Sequence, residues 1–270
     1  MILLSHQKRL TSFWLGRACV FCSYRKTFVT ARGYVKCARC GKQKSLKRLR
    51  RELEIICAFV EQRPALQVSV EMKISYQSVA KVFKDIRELL FYQAELEGKK
   101  LSGTVEMDES YFGGKRKGKR GRGAAGKKVV FGILERGGRV YTKVVYTLTA
   151  ENLMDIIKKK TRKGSVFCTD TFKSYNSLKQ YGKHLTVNHS KTMVDKNNHN
   201  HINGIEGFWS YAKHKMYNYH GVSKANFGLY LKEMEYRYNH RKENILEPIL
   251  KLYLVTFRTN YQKQSNFLWE

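Results

Sequence analysis

The sequence predicts an α/β protein: a mixed β-sheet flanked by helices, preceded by a cysteine-bounded module and a small helical module. Three observations predict it. Apolar runs with strand character at VEMDES, KVVFGILE, RVYTKVVYTL, SVFCTD and HLTVNHS alternate, after the third, with segments of helical spacing. Four cysteines stand as two Cys-x-x-Cys pairs near the N-terminus. The chain of 270 residues carries 52 Lys and Arg against 22 Asp and Glu, a formal net charge of +30. Such a charge favours fast, salt-dependent association with phosphate backbones.

Four regions follow from the pattern: 18–43, 48–93, 102–245 and a tail, 246–270. The first reads CVFC, fourteen residues, then CARCG. Cys19, Cys22, Cys37 and Cys40 offer four thiolates at tetrahedral spacing for Zn²⁺, and Gly41 allows the second knuckle to turn sharply. The stretch between them alternates like a short hairpin, so the module reads as a zinc ribbon. Its basic residues Arg25, Lys26, Arg32, Lys36 and Arg39 are candidates for DNA contact. Cys57 and Cys168 stand alone in apolar surroundings and read as small buried hydrophobes.

In the second region Leu53, Ile56, Cys57 and Val60 share a helical face, and Pro64 ends that helix. Ser75 is placed to cap a longer helix. That helix would turn Val79, Val82, Phe83, Ile86 and Leu89 inward and Gln77, Lys81, Lys84 and Arg87 outward. Short helices ending in a basic one fit a helix-turn-helix, and equally a plain helical connector.

From Ser102 the order is three strands, helix, strand, helix, strand, helix. A mixed sheet of this order is the ribonuclease-H-like arrangement, in which the first three strands form a meander and the fourth lies beside the first. Asp108 ends the first strand and Asp170 the fourth, so their ends come together. Strand alternation puts Glu106 with Asp108 on one face and Glu109 on the other. On the late helix, Ile202, Ile205, Trp209, Ala212 and Met216 form the buried stripe. Asn203, Glu206, Ser210 and Lys213 follow the same spacing one position along, at its polar edge. Carboxylates held together raise one another's pKa, and hard divalent ions, Mg²⁺ or Mn²⁺, relieve this. Two such ions can activate a water or 3′-hydroxyl at a phosphodiester.

The loop GGKRKGKRGRGAAGKK carries Lys115, Arg116, Lys117, Lys119, Arg120, Arg122, Lys127 and Lys128 and no acid. It reads as a glycine-rich extension able to lie along DNA, and it lacks the full nucleotide-loop pattern. His184, His189, His199 and His201 show no firm metal-ligand spacing. A late helix is expected to bury Phe227, Tyr230, Leu231 and Met234. The apolar runs fall far short of the ~20 residues that span a bilayer. MILLSHQKRL makes no adequate signal peptide. The expected place is the cytoplasm, associated with the nucleoid, with no membrane partner.

Three blocks carry a resemblance: MDESYFGGKRKGKRGRG, CTDTFKSY and HINGIEGFWSYAKHKMYNYHGVSKANFGLYLKEMEYRYNHR. Together they resemble the signatures of the zinc-ribbon insertion-sequence transposases of bacteria, the DDE enzymes related to the eukaryotic Merlin elements. The resemblance covers residues 18 to 245. It implies a ribonuclease-H-like core, Mg²⁺-dependent cleavage and strand transfer on double-stranded DNA, and recognition of terminal inverted repeats. Asp108 and Asp170 match the two aspartates, Glu206 the third acid, and Lys213 the lysine seven residues later. The family also uses Asn at the third position, which Asn203 matches, so Glu206 and Asn203 both stand as candidates. Bringing two ends together implies a homodimer or higher assembly in the DNA complex. Three alternatives are a ribonuclease-H-like nuclease without transposition, a non-catalytic zinc-ribbon DNA-binding regulator, and a ribosome-associated protein.

Overall fold

The computed structural model describes residues 19, 22, 24–96, 99–113, 127–187, 201–219 and 221–256. These fall into two compact units, one of the residues up to Leu89 together with those from Asn244, the other Leu90–Glu243. Among the described residues, no helix is long and apolar enough to cross a membrane.

In the first unit, β1 (Thr27–Val29), β2 (Tyr34–Cys37) and β3 (Gln43–Ser45) form an antiparallel sheet in that order. The hairpin read between the cysteine pairs is β1–β2, and β3 extends it. Gly41 has φ of 69°, the left-handed conformation that a side chain disfavours, and so lets the chain turn from the second knuckle into β3. Helices α1 (Leu46–Val60), α2 (Ala65–Glu71) and α3 (Tyr76–Leu96) follow. Pro64 stands at the N-cap of α2, where its missing N–H costs nothing. Ser75 Oγ accepts from the Ser78 N–H at 3.3 Å, capping α3.

The core of this unit joins Leu49, Leu53, Ile56 and Phe59 to Val79, Phe83 and Ile86. α1 buries Ile55 and Ala58 as well, because β3, α2 and the C-terminal helix α7 (Leu246–Thr256) all pack on it. The sequence leaves 246–270 without an assignment, and α7 supplies Ile249, Leu250 and Tyr253 to this core. Val79, Val82, Phe83, Ile86 and Leu89 turn inward as expected. Arg87 does not turn outward. It is 5% exposed, with its guanidinium 5.4 Å from the Phe59 ring centre and 5.7 Å from that of Phe83. Its planar, weakly hydrated head suits packing between two aromatic rings.

The second unit is built on a five-stranded sheet. Its strands are β4 (Thr104–Phe112), β5 (Lys128–Glu135), β6 (Val140–Val145), β7 (Val166–Thr169) and β8 (Lys183–Thr186). Their spatial order is β6-β5-β4-β7-β8. β4, β5 and β6 form the antiparallel meander, while β7 runs parallel to β4 and β8 parallel to β7. This is the ribonuclease-H-like sheet the strand order predicts.

One face packs on α4 (Ala150–Lys160) and a 3-10 helix (Lys173–Gln180), through Val105, Met107, Phe131, Leu153, Ile157, Phe167, Tyr175 and Leu178. Thr149 caps α4 by accepting from the Asn152 N–H. The other face packs on α5 (Asn203–Tyr217) and α6 (Phe227–Asn239), through Val130, Leu134, Cys168, Ile205, Phe208, Trp209, Ala212 and Met234. Cys168 is 1% exposed, the small buried hydrophobe its context suggests.

Gly132 of β5 sits directly opposite Asp108 of β4. A Cβ there would stand 2.5 Å from Trp209 Cζ2 and 2.9 Å from Ile205 Cδ1. The bare backbone is what lets the indole of α5 lie flat on the sheet beside Asp108. Gly132→Ala is expected to lower unfolding free energy by about 1–3 kcal/mol, the usual cost of overpacking. Urea denaturation measures this; a stability equal to wild type would contradict the close contact.

Candidate metal centre and the family it defines

β4 and β7 pair in parallel with Glu106 level with Cys168, so continuing the register puts Asp108 level with Asp170. β4 does not end at Asp108, as the sequence suggests, but runs on to Phe112; β7 stops at Thr169, and its early end leaves Asp108 and Asp170 in one cleft. Asp108, Glu109 and Asp170 each offer a carboxylate oxygen, and these oxygens all lie within 4.8 Å of one another. They line an open cleft of about 490 Å³ with Tyr111, Leu148, Phe172, Ile202 and Glu206.

Each acid is held by a specific donor. Trp209 Nε1 donates to Asp108 Oδ2 at 3.1 Å. The Phe172 N–H donates to Asp170 Oδ1 at 2.9 Å, so the residue shapes the turn into the 3-10 helix. The Thr169 hydroxyl donates to the Asp170 carbonyl at 2.6 Å and lies 2.9 Å from His184 Nε2. Tyr175, buried beneath the cleft, donates its hydroxyl to Glu109 Oε1 at 2.9 Å.

Glu109 is the surprise of the site. Alternation does put it on the face opposite Asp108, where it meets Tyr175. β7 ends at Thr169, however, so no neighbouring strand flanks β4 on that side at the level of Glu109. The longer side chain reaches round the open edge to the cluster. Glu206, exposed on α5, lines the cleft without belonging to that close group. Asn203 is exposed on the first turn of α5 and is not among the cleft-lining residues. Lys213 Nζ lies 5.7 Å from the Phe112 ring centre. Its pKa is lowered by desolvation, against the pull of the Asp108 charge.

Burial and nearby negative charge raise the pKa of two of these carboxyls, Asp108 and Glu109. Desolvation first, then the charges of Asp170 and Glu206, push Asp108 up to about 6. Desolvation, with Asp108 and Asp170 adding, pushes Glu109 up to about 7, although the Tyr175 hydrogen bond opposes this. A hard cation answers that repulsion. The oxygen-only donor set fits Mg²⁺ or Mn²⁺ and not a soft metal.

A raised carboxyl pKa means the folded chain holds its proton more tightly than the unfolded chain does. Its stabilising contribution is present below the ordinary carboxylate range and is lost as pH rises through about 6 to 7. Keeping these groups charged at pH 8 costs on the order of a few kcal/mol. Mn²⁺ is therefore expected to raise the Tm more at pH 8 than at pH 5.5. Metal-free Asp108→Asn is expected to gain Tm over wild type at the higher pH. Scanning calorimetry reads both, and an equal metal shift at the two pH values would contradict the assignment.

The four ribbon cysteines form the other convergent group among the described residues. Sγ atoms of Cys19 and Cys40 are 3.7 Å apart, and those of Cys22 and Cys37 3.6 Å. No disulfide joins them. Thiolates around zinc at ~2.3 Å define a tetrahedron with edges of about 3.8 Å, so the set fits Zn²⁺. The Cys37 thiol is drawn down to about 6, chiefly by the Cys40 backbone amide.

Of the basic loop, Lys115, Arg116, Lys117, Lys119, Arg120 and Arg122 lie outside the described residues, as do His189 and His199. Lys127 and Lys128 are described, and Lys128 begins β5 opposite Phe112.

A ribonuclease-H-like sheet with one carboxylate midway along its first strand, level with another just past the end of its fourth, defines a DDE-type catalytic domain. Residues 100–239 match the ISXO2-like transposase domain, and the chain belongs to that family. An uncharacterized transposase-like protein of Haemophilus influenzae is 40% identical over 114 residues, covering 42% of this chain and 91% of that protein. Among solved structures, the catalytic core domain of BIV integrase aligns at 14% identity and a TM-score of 0.34, over 60% of this chain and 99% of that one. A pre-cleavage Mos1 transpososome aligns at 14% identity and a TM-score of 0.34, over 76% of this chain and 78% of that one.

Proposed function

We propose that this enzyme cleaves DNA at the terminal inverted repeats of an insertion sequence and joins the freed ends to target DNA. The observation that carries the reading is the convergence of Asp108, Glu109 and Asp170 at one sheet edge, in a chain of net charge +30. Asp108 and Asp170 would hold the metal, with Glu206 or Asn203 completing the set from α5. Bound there, a pair of Mg²⁺ or Mn²⁺ ions would activate a water or a 3′-hydroxyl and stabilise the leaving oxygen. Trp209 and the Phe172 amide each hold one oxygen of the two aspartates that line the cleft. Lys213, two turns beyond Glu206 on α5, would meet a phosphate. The phosphodiester would lie in the open cleft, with the basic β4–β5 loop along the backbone.

The division of labour follows the sequence regions. The ribbon at 18–43 would fold around Zn²⁺ and, with the helical module at 48–93, bind double-stranded DNA. Catalysis belongs to 102–245. Two ends must be held at once, so a homodimer or larger assembly on DNA is part of the proposal, and its setting is the nucleoid. Glu109 competes with Glu206 and Asn203 for the third ligand position, because it is the acid that stands within the close group.

The test is an Mg²⁺ assay on DNA carrying the repeats that flank the coding sequence. Wild type is expected to release a 3′-hydroxyl at the repeat end and join it to a second duplex. Cleavage without joining would leave a nuclease, and no metal-dependent chemistry would leave a DNA-binding regulator. Glu206→Gln, Asn203→Ala and Glu109→Gln in the same assay rank the three candidates for the third ligand.

A further inference from the structure

Glu106 precedes Asp108 by two residues on the same face of β4 and is completely buried. The metal cluster and the cleft lining do not include it. Its two oxygens are divided between two donors. Oε1 accepts from Arg136 Nε at 2.8 Å, and Oε2 accepts from the Ile205 N–H at 3.0 Å. Arg136 uses a second nitrogen, Nη2, to donate to the His201 carbonyl at 2.7 Å. Every one of these contacts falls at the entry to α5.

The first N–H groups of a helix find no acceptor within it, and the helix dipole favours negative charge there. Glu106 meets both needs from the neighbouring strand. Gly204 makes the approach possible: a Cβ there would stand 2.8 Å from Glu106 Oε2 and 3.0 Å from Leu134 Cδ2. One turn further on, Trp209 Nε1 donates to Asp108. Two carboxylates of β4 thus hold α5 at two points, and Glu206 lies between them in sequence.

Apolar packing alone is non-directional and tolerates a slide along the helix axis. A guanidinium fork that spans a carboxylate and a carbonyl does not, because its donors are fixed in one plane. We propose that Glu106, Arg136 and Gly204 form a clamp that sets the axial position of α5 over the strand ends. Glu106 and Arg136 are then positioning residues for Glu206 and Lys213. This rests on the reading above that α5 faces the metal centre.

Two mild variants of the full chain test it. Arg136→Lys keeps a cation beside Glu106 but cannot span the His201 carbonyl as well. Gly204→Ala improves helix propensity while forcing the backbone off Glu106. Each is made alone and with Glu206→Gln. Circular dichroism checks folding, Mn²⁺ affinity is read by electron paramagnetic resonance, and DNA affinity by gel shift. Both variants are expected to fold, to bind DNA as wild type does, and to weaken Mn²⁺ binding by ~10-fold or more, as loss of a ligand-orienting group does. Combined with Glu206→Gln, neither is expected to weaken it further. Folded variants with wild-type Mn²⁺ affinity and nicking, or losses that multiply with that of Glu206→Gln, would overturn the clamp. If Glu206→Gln alone leaves Mn²⁺ affinity unchanged, the assignment of Glu206 falls instead. Nicking then decides the clamp: a ~10-fold loss at unchanged DNA affinity keeps it, and wild-type nicking overturns it.

Discussion

Asp108→Asn and Asp170→Asn are each expected to lower Mg²⁺-dependent DNA cleavage by at least ~10³-fold, because the metal supplies several kcal/mol of transition-state stabilisation. The fold is expected to survive both changes. In Asp108→Asn the amide oxygen can still accept from Trp209 Nε1. In Asp170→Asn it can still accept from the Phe172 N–H that shapes the turn. One of the two charges that repel Glu109 is gone in either variant. The measurement is single-turnover cleavage at pH 8, alongside a thermal melt of the metal-free chain. Cleavage at the wild-type rate by either variant would remove that aspartate from the centre. Lost cleavage with lost folding would make its role structural.

The other large effect lies in α6. Lys232, 3% exposed, pairs with Glu235 at 2.9 Å and Glu95 at 3.1 Å. Its ammonium also sits 4.1 Å from the Tyr141 ring centre. Glu235 accepts from both the backbone N–H and the hydroxyl of Thr142 in β6, each at 2.7 Å. This couples the helix to the edge of the sheet. Glu235→Ala leaves a buried ammonium and a buried amide without that acceptor. It is expected to cost about 3–5 kcal/mol and to lower the Tm by ~10 °C. Lys232→Met combined with Glu235→Gln removes the charge pair and keeps an acceptor for Thr142, so it is expected to recover most of the loss. Urea denaturation of the three chains measures this, and a cost under ~1 kcal/mol for Glu235→Ala would contradict it.

That network marks what the sequence left hidden. Helical periodicity found Phe227, Leu231 and Met234, because apolar burial repeats with the turn, but it chose Tyr230, which is half-buried, over the buried Leu229. The buried charges Lys232, Glu233, Glu235 and Arg237 have no signature in that periodicity, since pairing depends on which partners the fold brings up. Arg87 was hidden for the same reason: only the tertiary fold stacks it on Phe59 and Phe83. By contrast, the tetrahedral cysteines were legible because both knuckles are local. The sheet was legible because its strand order has few compact solutions. That order also brought Asp108 beside Asp170 across a separation of 62 in chain numbering. Glu109 is the instructive case. Alternation correctly assigned its face, but the early end of β7, which lets it reach the cluster, has no signature within β4 itself.

Asp108 and Asp170 are expected to hold a divalent metal jointly, level with one another where β7 ends. Mn²⁺ titration followed by electron paramagnetic resonance, on the Zn²⁺-loaded wild type and on Asp108→Asn/Asp170→Asn, tests it most directly. The wild type is expected to bind Mn²⁺, more tightly at pH 8 than at pH 5.5, and the folded double variant to lose that binding. Equal Mn²⁺ binding by the two chains would contradict the account.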